Sequence, residues 1–420
     1  MTLTQWKSKS LGCILEKIVG GGTPSKSNPL YWDGDISWAS VKDLSSTTLS
    51  DTTDKISEEG LKNSASNLIP ADSIIIPTRM ALGKVAVTTK AMAINQDLKA
   101  LFPIKEVCKN YLFQWLIFHA EQISSLGSGS TVKGIRLEQL KKIPFRYPAL
   151  KQEQQKIAEV LSTVDKKIDL IDQKIAETEK LKTGLMQKLF SEGVGVQDSD
   201  GNWQPHSEFQ DSPFGKIPKC WQKLSLESIA SVERGKFSAR PRNDPKYFGG
   251  ETPFVQTGDV VNAHVYIESY SQTLNELGLT VSKTFPPETV LITIAANIGD
   301  VAITKFPLAC PDSLVGIQAN QDICNASWLF FFMQTQKSEL DSRATKSAQK
   351  NINLQVLKPL SVFLPPLQEQ EFMAEILLTS EQKLALLKQQ KAETQQLKQG
   401  LMQKLLTGEW RVPLDNPEAA

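Results

Sequence analysis

The sequence repeats itself once, in register, along most of its length. The heptapeptide GLMQKLF begins at Gly184, and the nearly identical GLMQKLL begins at Gly400. The same shift along the chain brings the QEQ at Gln152 onto the QEQ at Gln368. A fixed period held over this distance indicates two tandem copies of one folding unit. Because a solenoid needs three or more copies, the repeat predicts a pseudo-twofold pair instead.

Composition narrows the class of protein. The chain has 420 residues, of which 40% are hydrophobic, as expected for a soluble globular protein with several cores. No apolar run approaches the roughly 18 residues that span a bilayer, and no secretory segment opens the chain. Its five cysteines are scattered without a C-x-x-C pair, which indicates reduced thiols in the cytoplasm. We therefore predict a cytoplasmic protein with no membrane partner.

Each copy begins with a segment of mixed character. Short β-rich runs, SIIIP from Ser73 and TVLITI from Thr289, stand among glycine, proline and serine turns. Two apolar stretches, Tyr111–Ala120 and Ala326–Thr335, have the character of buried helices. This first part of each copy is predicted to be an α+β domain.

The second part of each copy predicts a long helix with a heptad seam. Gln152–Phe190 and Gln368–Leu406 would each be roughly 60 Å long at about 1.5 Å per residue. Apolar residues recur at steps of four and three, the spacing of a coiled coil. The first seam is Ile157, Leu161, Val164, Ile168, Ile171 and Ile175, then Thr178 and Leu181. The second is Met373, Leu377, Ser380, Leu384 and Leu387, then Lys391 and Thr394.

Two arrangements satisfy these seams. Each helix could form a coiled coil across a separate homodimer, or the two helices could pair antiparallel within one chain. We expect the second arrangement, because one chain holds both helices at high effective concentration. The predicted boundaries are residues 1–148 and 216–364 for the α+β domains, 149–190 and 365–408 for the helices, 191–215 for a polar linker, and 409–420 for a tail.

The motifs that resemble catalytic signatures are incomplete. GGGTPSKS from Gly20 resembles a phosphate-binding loop, but Ser25 occupies the place of the glycine before Lys26. NPLY from Asn28 lacks the second proline of an amino-methyltransferase motif. Three histidines stand far apart without metal-ligand spacing. The sequence therefore predicts a binding scaffold with no catalytic residues and no metal site.

Local basic loops are the candidate ligand contacts, since the formal net charge is only +1. The loop GKFSARPRNDPKY carries four cations against one acid, Asp244, which suits contact with phosphates. Arg79 in one copy aligns near Asn297 in the other, and these side chains suit guanine and adenine respectively. The alternative is an ordinary solvated loop. The candidate DNA-binding residues are Thr23, Ser25, Lys26, Arg79, Lys84, Lys133, Arg136, Lys236, Arg240, Arg242, Lys246, Asn297, Arg343, Lys346, Gln349 and Lys350.

The order of the motifs resembles that of a known family. These motifs are GGTPS at Gly21–Ser25, P-x-Y-[WF]-x-G in both copies, LG or IG before a short strand, PALKQEQ and PPLQEQ, and GLMQKL twice. The chain resembles the specificity subunit of type I restriction-modification systems from about Trp6 to Trp410. The first GGTPS has no clear counterpart in the second copy, so contacts there do not transfer.

The resemblance implies that this chain recognises DNA and that partner subunits carry out the catalysis. Two target-recognition domains would each read one half of a split site in double-stranded DNA. The long helices would act as a ruler and as the dock for two methyltransferase subunits, with restriction subunits joining the complex. S-adenosylmethionine, ATP and Mg²⁺ would belong to those partner subunits, and this chain would hold no cofactor.

Three other classes stay open from the sequence. One is a specificity subunit of a related type IIB- or IIG-like methylation-restriction enzyme. Another is a fused single-chain restriction-methylation enzyme, although nuclease and methyltransferase domains are missing from these 420 residues. The third is a coiled-coil adaptor that does not bind DNA.

Overall fold

The computed structural model describes residues 5–128, 133–212, 215–295, 297–344 and 351–414. The chain divides into two compact units. Unit 1 is residues 1–170 with 391–420, and unit 2 is residues 171–390. Each unit contains one α+β head and a segment of each long helix; head 1 is residues 5–148 and head 2 is residues 215–364. None of the described helices has the length and apolarity needed to cross a membrane.

Head 1 is built on two sheets and a strand pair. Its five-stranded sheet has the order Leu15–Gly20, Leu98–Pro103, Ile74–Pro77, Ala86–Thr88 and Thr48–Leu49. Its four-stranded sheet has the order Asp54–Ile56, Trp32–Ala39, Met92–Ile94 and Asn67–Ile69. Trp6–Ser10 pairs with Pro144–Pro148. The helices are Glu58–Lys62, Lys109–Phe118, Ala120–Ser125 and Leu137–Lys141.

Head 2 repeats this plan. Its five-stranded sheet has the order Ala230–Arg234, Leu314–Ala319, Val290–Thr293, Val301–Thr304 and Tyr266–Ile267. Its four-stranded sheet has the order Gln272–Leu274, Phe248–Phe254, Leu308–Ala309 and Thr284–Phe285. Gln222–Ser225 pairs with Ser361–Leu364. The helices are Leu226–Ile229, Thr257–Asn262, Glu276–Thr280, Ala326–Thr335, Lys337–Ala344 and Leu354–Leu357. The same strand order in both heads confirms the α+β class and the internal repeat.

The repeated P-x-Y-[WF]-x-G motif has a structural cause. Asn28 and Asp244 accept backbone N–H bonds that start a short 3₁₀ turn in each head. A Cβ atom on Gly34 would lie 2.4 Å from Ser57 Cα, and one on Gly250 would lie 2.4 Å from Asn275 Cα. Only glycine fits where these strands pass so close to a neighbouring backbone, so the motif preserves the fold.

The long helices are Lys151–Glu192 and Leu367–Thr407, of 42 and 41 residues. They run antiparallel in each unit. In unit 1, Lys398 lies 2.6 Å from Asp165, while Arg411, beyond the second helix, pairs with Glu153 near the start of the first. In unit 2, Lys182 pairs with Glu381, and Lys388 lies 3.3 Å from Glu179. Each unit therefore contains the intrachain pair rather than half of a homodimeric coiled coil.

The predicted seam residues vary in burial. Ile157, Leu161, Ile171, Met373, Leu377, Leu384 and Leu387 are buried, while Val164, Ile168 and Ile175 are half-buried. Leu181 departs from the prediction, because 59% of it is exposed. At this level the contact between the helices is made by Lys182 instead of Leu181, and by the buried Glu381 instead of the predicted Ser380. The ion pair satisfies both charges, so a polar step is tolerated there.

The repeated GLMQKL places both helix ends in a head core. In unit 2, Leu189 belongs to the core that contains Trp328 and Phe331. In unit 1, Met402 and Leu405 belong to the core that contains Trp115. Each long helix therefore ends against the head of the unit in which it ends. Nothing in the structure explains the repeated glycine, since a Cβ on Gly184 or on Gly400 would have open space.

In the segment predicted as a polar linker, residues 191–215, the described residues 191–212 and Gly215 contribute to two strand pairs. Val196–Gln197 pairs with Trp203–Gln204, and Phe209–Ser212 pairs with Gly215–Pro218. Trp203 stacks on Phe372 of the second long helix at a centroid distance of 5.1 Å. The buried Glu369 carboxylate accepts the backbone N–H groups of Val194 and Gly195 and so fixes the segment in place. The polar composition of this segment therefore did not reveal its strand pairs or its contacts with the second long helix.

Candidate nucleic-acid interface

In head 1, two of the predicted basic segments lie side by side. The Met80 N–H donates to the Lys133 carbonyl at 2.9 Å, and the Ile135 N–H donates to the Thr78 carbonyl at 3.0 Å. Arg79 forms a β-bridge with Gly134 between these bonds. The local backbone requires an unusual turn, with φ of 63° at Met80 and 87° at Gly83. Segments that are distant in the chain therefore share one exposed basic edge.

The side chains on this edge differ in exposure and in their partners. The Arg79 and Lys133 side chains lie exposed beside the bridge, and Arg136 is exposed two residues after Gly134. Lys84 is also exposed, but its ammonium donates to the Leu44 carbonyl at 2.8 Å and ties the turn to the head.

A short polar loop at the junction of the two sheets joins the remaining predicted residues to this edge. We name it connecting loop 1; it is Asn95–Asp97, between Met92–Ile94 and Leu98–Pro103. Thr23 donates to the Gln96 amide oxygen at 2.5 Å. Asp97 lies 3.8 Å from the Arg79 guanidinium. The loop thus gathers residues from two distant segments around two side chains that the sequence prediction did not include.

Lys99 adds a third charge beside connecting loop 1. Its ammonium donates to the Gln96 carbonyl at 2.7 Å. Burial lowers the pKa of Lys99; the nearby Asp97 acts in the opposite sense, and Arg79 adds to the lowering. Ser25 and Lys26 lie exposed on the preceding loop, where Ser25 contacts the Ser27 hydroxyl at 2.8 Å. The signal available in the sequence was the polar triplet NQD at the end of a buried strand.

Head 2 has the same junction, which we name connecting loop 2 (Pro311–Ser313). It precedes Leu314–Ala319 as connecting loop 1 precedes Leu98–Pro103. The Arg242 guanidinium lies 2.8 Å from the Asp312 carboxylate, and Arg234 Nε donates to the Asp312 carbonyl at 2.5 Å. The basic loop therefore meets a second acid in addition to Asp244, the only one that the sequence had associated with it.

The other cations of the basic loop have local partners. Lys246 lies 2.9 Å from Asp244 and its ammonium lies 4.9 Å from the centre of the Tyr247 ring. Arg240 donates to the Ala239 carbonyl at 2.7 Å. Lys236 has an exposed side chain, while its N–H donates to the Cys310 carbonyl at 3.0 Å.

The second turn in head 2 also repeats the plan of head 1. The Ile352 N–H donates to the Ile294 carbonyl at 3.0 Å, and Ala295 forms a bridge with Asn351. Asn297 is exposed on this turn, and its carbonyl accepts the Thr293 hydroxyl. Arg343 pairs with Glu339 on its own helix. The predicted residues Lys346, Gln349 and Lys350 lie outside the described residues.

Both heads therefore present an exposed turn, around Arg79 or Asn297, and a connecting loop at equivalent places, with different side chains. The described residues bring together no group of three or more histidine, cysteine, aspartate or glutamate side chains suited to a metal ion. Guanidinium, ammonium and amide groups on exposed turns are the chemistry of phosphate contact and base-edge recognition.

Comparison with known proteins agrees with this arrangement. The family model described as "Type I restriction modification DNA specificity domain" matches the chain twice, at residues 4–180 and 218–396. The MjaIX specificity subunit of a type I restriction enzyme from Methanocaldococcus jannaschii is 30% identical over 282 residues, covering 65% of this chain and 62% of that protein. The EcoR124I/EcoR124II specificity subunit from Escherichia coli is 33% identical over 193 residues, or 44% of this chain and 46% of that one.

A solved structure shares the fold. The S subunit of a type I restriction-modification system from M. genitalium superposes with a TM-score of 0.62 at 15% identity. The superposition covers 99% of this chain and 98% of the other.

Proposed function

Because the chain belongs to the family of type I restriction modification DNA specificity domains, we propose that it is the DNA-specificity subunit of a type I restriction-modification complex. The observation that carries the proposal is the double match of the family model, once over each head and its helix. Two heads with equivalent turns and different side chains suit a bipartite site, in which each half has its own sequence.

The division of chemistry follows from the same proposal. We propose that this chain reads DNA and carries out no catalytic step. Two methyltransferase subunits would dock on it, and restriction subunits would complete the assembly. S-adenosylmethionine, ATP and Mg²⁺ would be used by those partners. The complex would act in the cytoplasm, where its DNA lies.

Electrostatics supports recognition by local contacts rather than by a general positive field. A formal net charge of +1 provides little long-range attraction for DNA. The exposed cations Arg79, Lys133 and Arg242 instead lie on turns of the two heads. Partner subunits in the assembly would supply further phosphate contacts and strengthen binding without changing the sequence that is read.

Mapping methylated sites in DNA exposed to the complete complex tests the proposal. We expect a split motif with one modified adenine in each half, separated by an unread spacer. A coiled-coil adaptor would leave the DNA unmodified, and fluorescence anisotropy at several salt concentrations would then show no DNA affinity that falls with salt. Binding of S-adenosylmethionine by this chain alone would favour the single-chain enzyme.

A further inference from the structure

We propose that an aspartate in each connecting loop is a positioning residue that aims one base-reading arginine: Asp97 aims Arg79, and Asp312 aims Arg242. The inference rests on the proposed DNA-reading function and identifies residues that set specificity within it. Neither aspartate is among the candidate DNA-binding residues predicted from the sequence.

In head 1, the acid is fixed and the arginine is exposed. The Asp97 carbonyl accepts the Thr78 N–H at 2.7 Å, and the Asp97 N–H donates to the Asn95 side chain at 3.1 Å. Only 11% of the Asp97 side chain is exposed, against 66% of the Arg79 side chain. A largely buried carboxylate on a hydrogen-bonded backbone therefore lies 3.8 Å from a guanidinium that reaches into solvent.

In head 2, two arginines converge on one aspartate: Arg234 ends the strand Ala230–Arg234, and Arg242 lies in the loop that follows it. Asp312 accepts Arg242 through its carboxylate and Arg234 through its carbonyl. The loop is held to the neighbouring turn, because the Ile294 N–H donates to the Ser313 carbonyl at 3.1 Å. The Arg242 side chain is 49% exposed, so part of its guanidinium remains accessible to a ligand.

Positioning explains why acids stand at these places. The arginine of each pair is exposed. Ion pairs at the surface contribute little to stability, so the pairs are poor candidates for a purely structural role. Reading guanine needs the planar guanidinium fork in one orientation, and a free arginine loses side-chain entropy when it adopts that orientation. An acid beside the fork restricts it before DNA arrives, which lowers that entropic cost on binding.

The two acids are one position apart in the repeat. In the register that places Gly184 on Gly400, Gln96 aligns with Asp312 and Asp97 aligns with Ser313. The arginines also come from different loops, one after Ile74–Pro77 and one after Ala230–Arg234. The same framework therefore presents its arginine from a different place in each head, so the two half-sites should not carry their guanine at equivalent positions.

Single Asp97→Asn and Asp312→Asn variants of the full chain, assembled with its methyltransferase subunits, test the inference. Modification of a DNA library with every base pair of the site varied is the measurement. Each variant should lose about tenfold in discrimination at one base pair of one half-site and leave the other half unchanged. Asp54→Asn is the matched control in head 1, since it also removes one acid from an ion pair, with Lys42.

Two results would contradict the positioning role of the aspartates. Removing an acid that acts only through its charge would strengthen binding to all DNA and leave base discrimination unchanged, which would overturn the inference. The double variant Arg79→Ala, Asp97→Asn gives a second test. If its loss of discrimination equals the sum of the two single losses, the inference is overturned, because a residue acting through Arg79 has no effect once Arg79 is absent. Asp312, 40% exposed, provides the test if Asp97→Asn does not fold.

The two levels of the proposal fail differently. If the unaltered assembly modifies no split site, the proposed function is wrong. If it modifies a split site and both aspartate variants keep full discrimination, only the positioning role is wrong.

Discussion

A buried glutamine near the start of each long helix joins that helix to a head through the same three hydrogen bonds. Gln154 accepts the Cys108 N–H at 2.7 Å and donates to the Glu106 and Pro148 carbonyls. Gln370 accepts the Asn325 N–H and donates to the Ile323 and Pro365 carbonyls. The repeated QEQ motif is thus explained by packing: its last residue satisfies three backbone groups at the start of each helix.

Gln154→Ala should destabilise unit 1 by about 2–4 kcal/mol, because three backbone groups would lose their partner in a largely buried place. Gln155→Ala, at the exposed neighbouring position, is the control and should change stability by less than about 0.5 kcal/mol. Urea unfolding followed by circular dichroism measures both. Equal effects would mean that the hydrogen bonds of Gln154 are not what holds the helix to head 1.

Cysteine reactivity should separate into two groups. Cys13 and Cys220 are exposed, whereas Cys108, Cys310 and Cys324 are buried. Burial raises the pKa of Cys310 and of Cys324 to about 12, so almost none of either thiol is ionised at pH 8. A thiol reagent at pH 8 should modify Cys13 quickly, and Cys220 more slowly because burial and the nearby Glu369 carboxylate raise the pKa of its thiol. The remaining three should react only after denaturation. Fast modification of all five in the folded protein would contradict these burials.

Arg79→Ala tests whether this exposed side chain reads a base or only a phosphate. If it is bidentate to guanine, the variant should lose about 1–3 kcal/mol of discrimination at one base pair. A phosphate contact would instead lower affinity evenly over all sequences and reduce the salt dependence. Competition binding with systematically altered sites distinguishes the two. Lys42→Ala, at a surface ion pair in the same head, serves as the control.

At the scale of elements, the helix pair carries a charged pair at equivalent places in the two units. Lys398 lies 2.6 Å from Asp165 in unit 1, and Lys182 pairs with Glu381 in unit 2. The register of the internal repeat relates the two acids to each other and the two lysines to each other. In unit 1, Gln114 of head 1 also donates to Asp165 at 2.8 Å. A charged pair at a seam position disfavours other registers, because a slip would leave both charges buried without partners.

Replacement of a seam residue by aspartate should be severe where the residue is buried. Leu161 is fully buried in the core of unit 1, so Leu161→Asp should cost several kcal/mol and unfold that unit. Ile168→Asp should follow with a smaller loss, because Ile168 is half-buried. Leu170→Asp is the control on the same helix, since 56% of Leu170 is exposed. Thermal unfolding would rank the three variants, and a Leu170→Asp variant as unstable as Leu161→Asp would contradict the seam.

At the scale of the whole molecule, the two units share a plan and differ in their exposed turns. Exchanging residues 1–145 with those of a relative should therefore change one half of the recognised site and leave the other half as it was. Mapping of methylated sites before and after the exchange gives the answer. The converse exchange of residues 216–364 is the matched control and should change the other half. A change in both halves after either exchange would exclude independent readers.

The sequence alone determined the repeat, the α+β heads and the two long helices. These features are periodic, and both the long period of the repeat and the steps of three and four along the helices are visible without knowing any contact. It also placed the exposed turns around Arg79 and Asn297, because Gly83 follows the first and Gly299 follows the second.

Tertiary structure decided which residues meet. Asp97 and Asp312 reach their arginines only because a connecting loop lies where two sheets join, and those arginines are distant in the chain. The path of the chain at Val194 and Gly195 depends on Glu369, which lies far along the sequence and whose buried carboxylate accepts both N–H groups. Such partnerships leave no periodic signal in the sequence, since each joins residues that meet only in the folded chain.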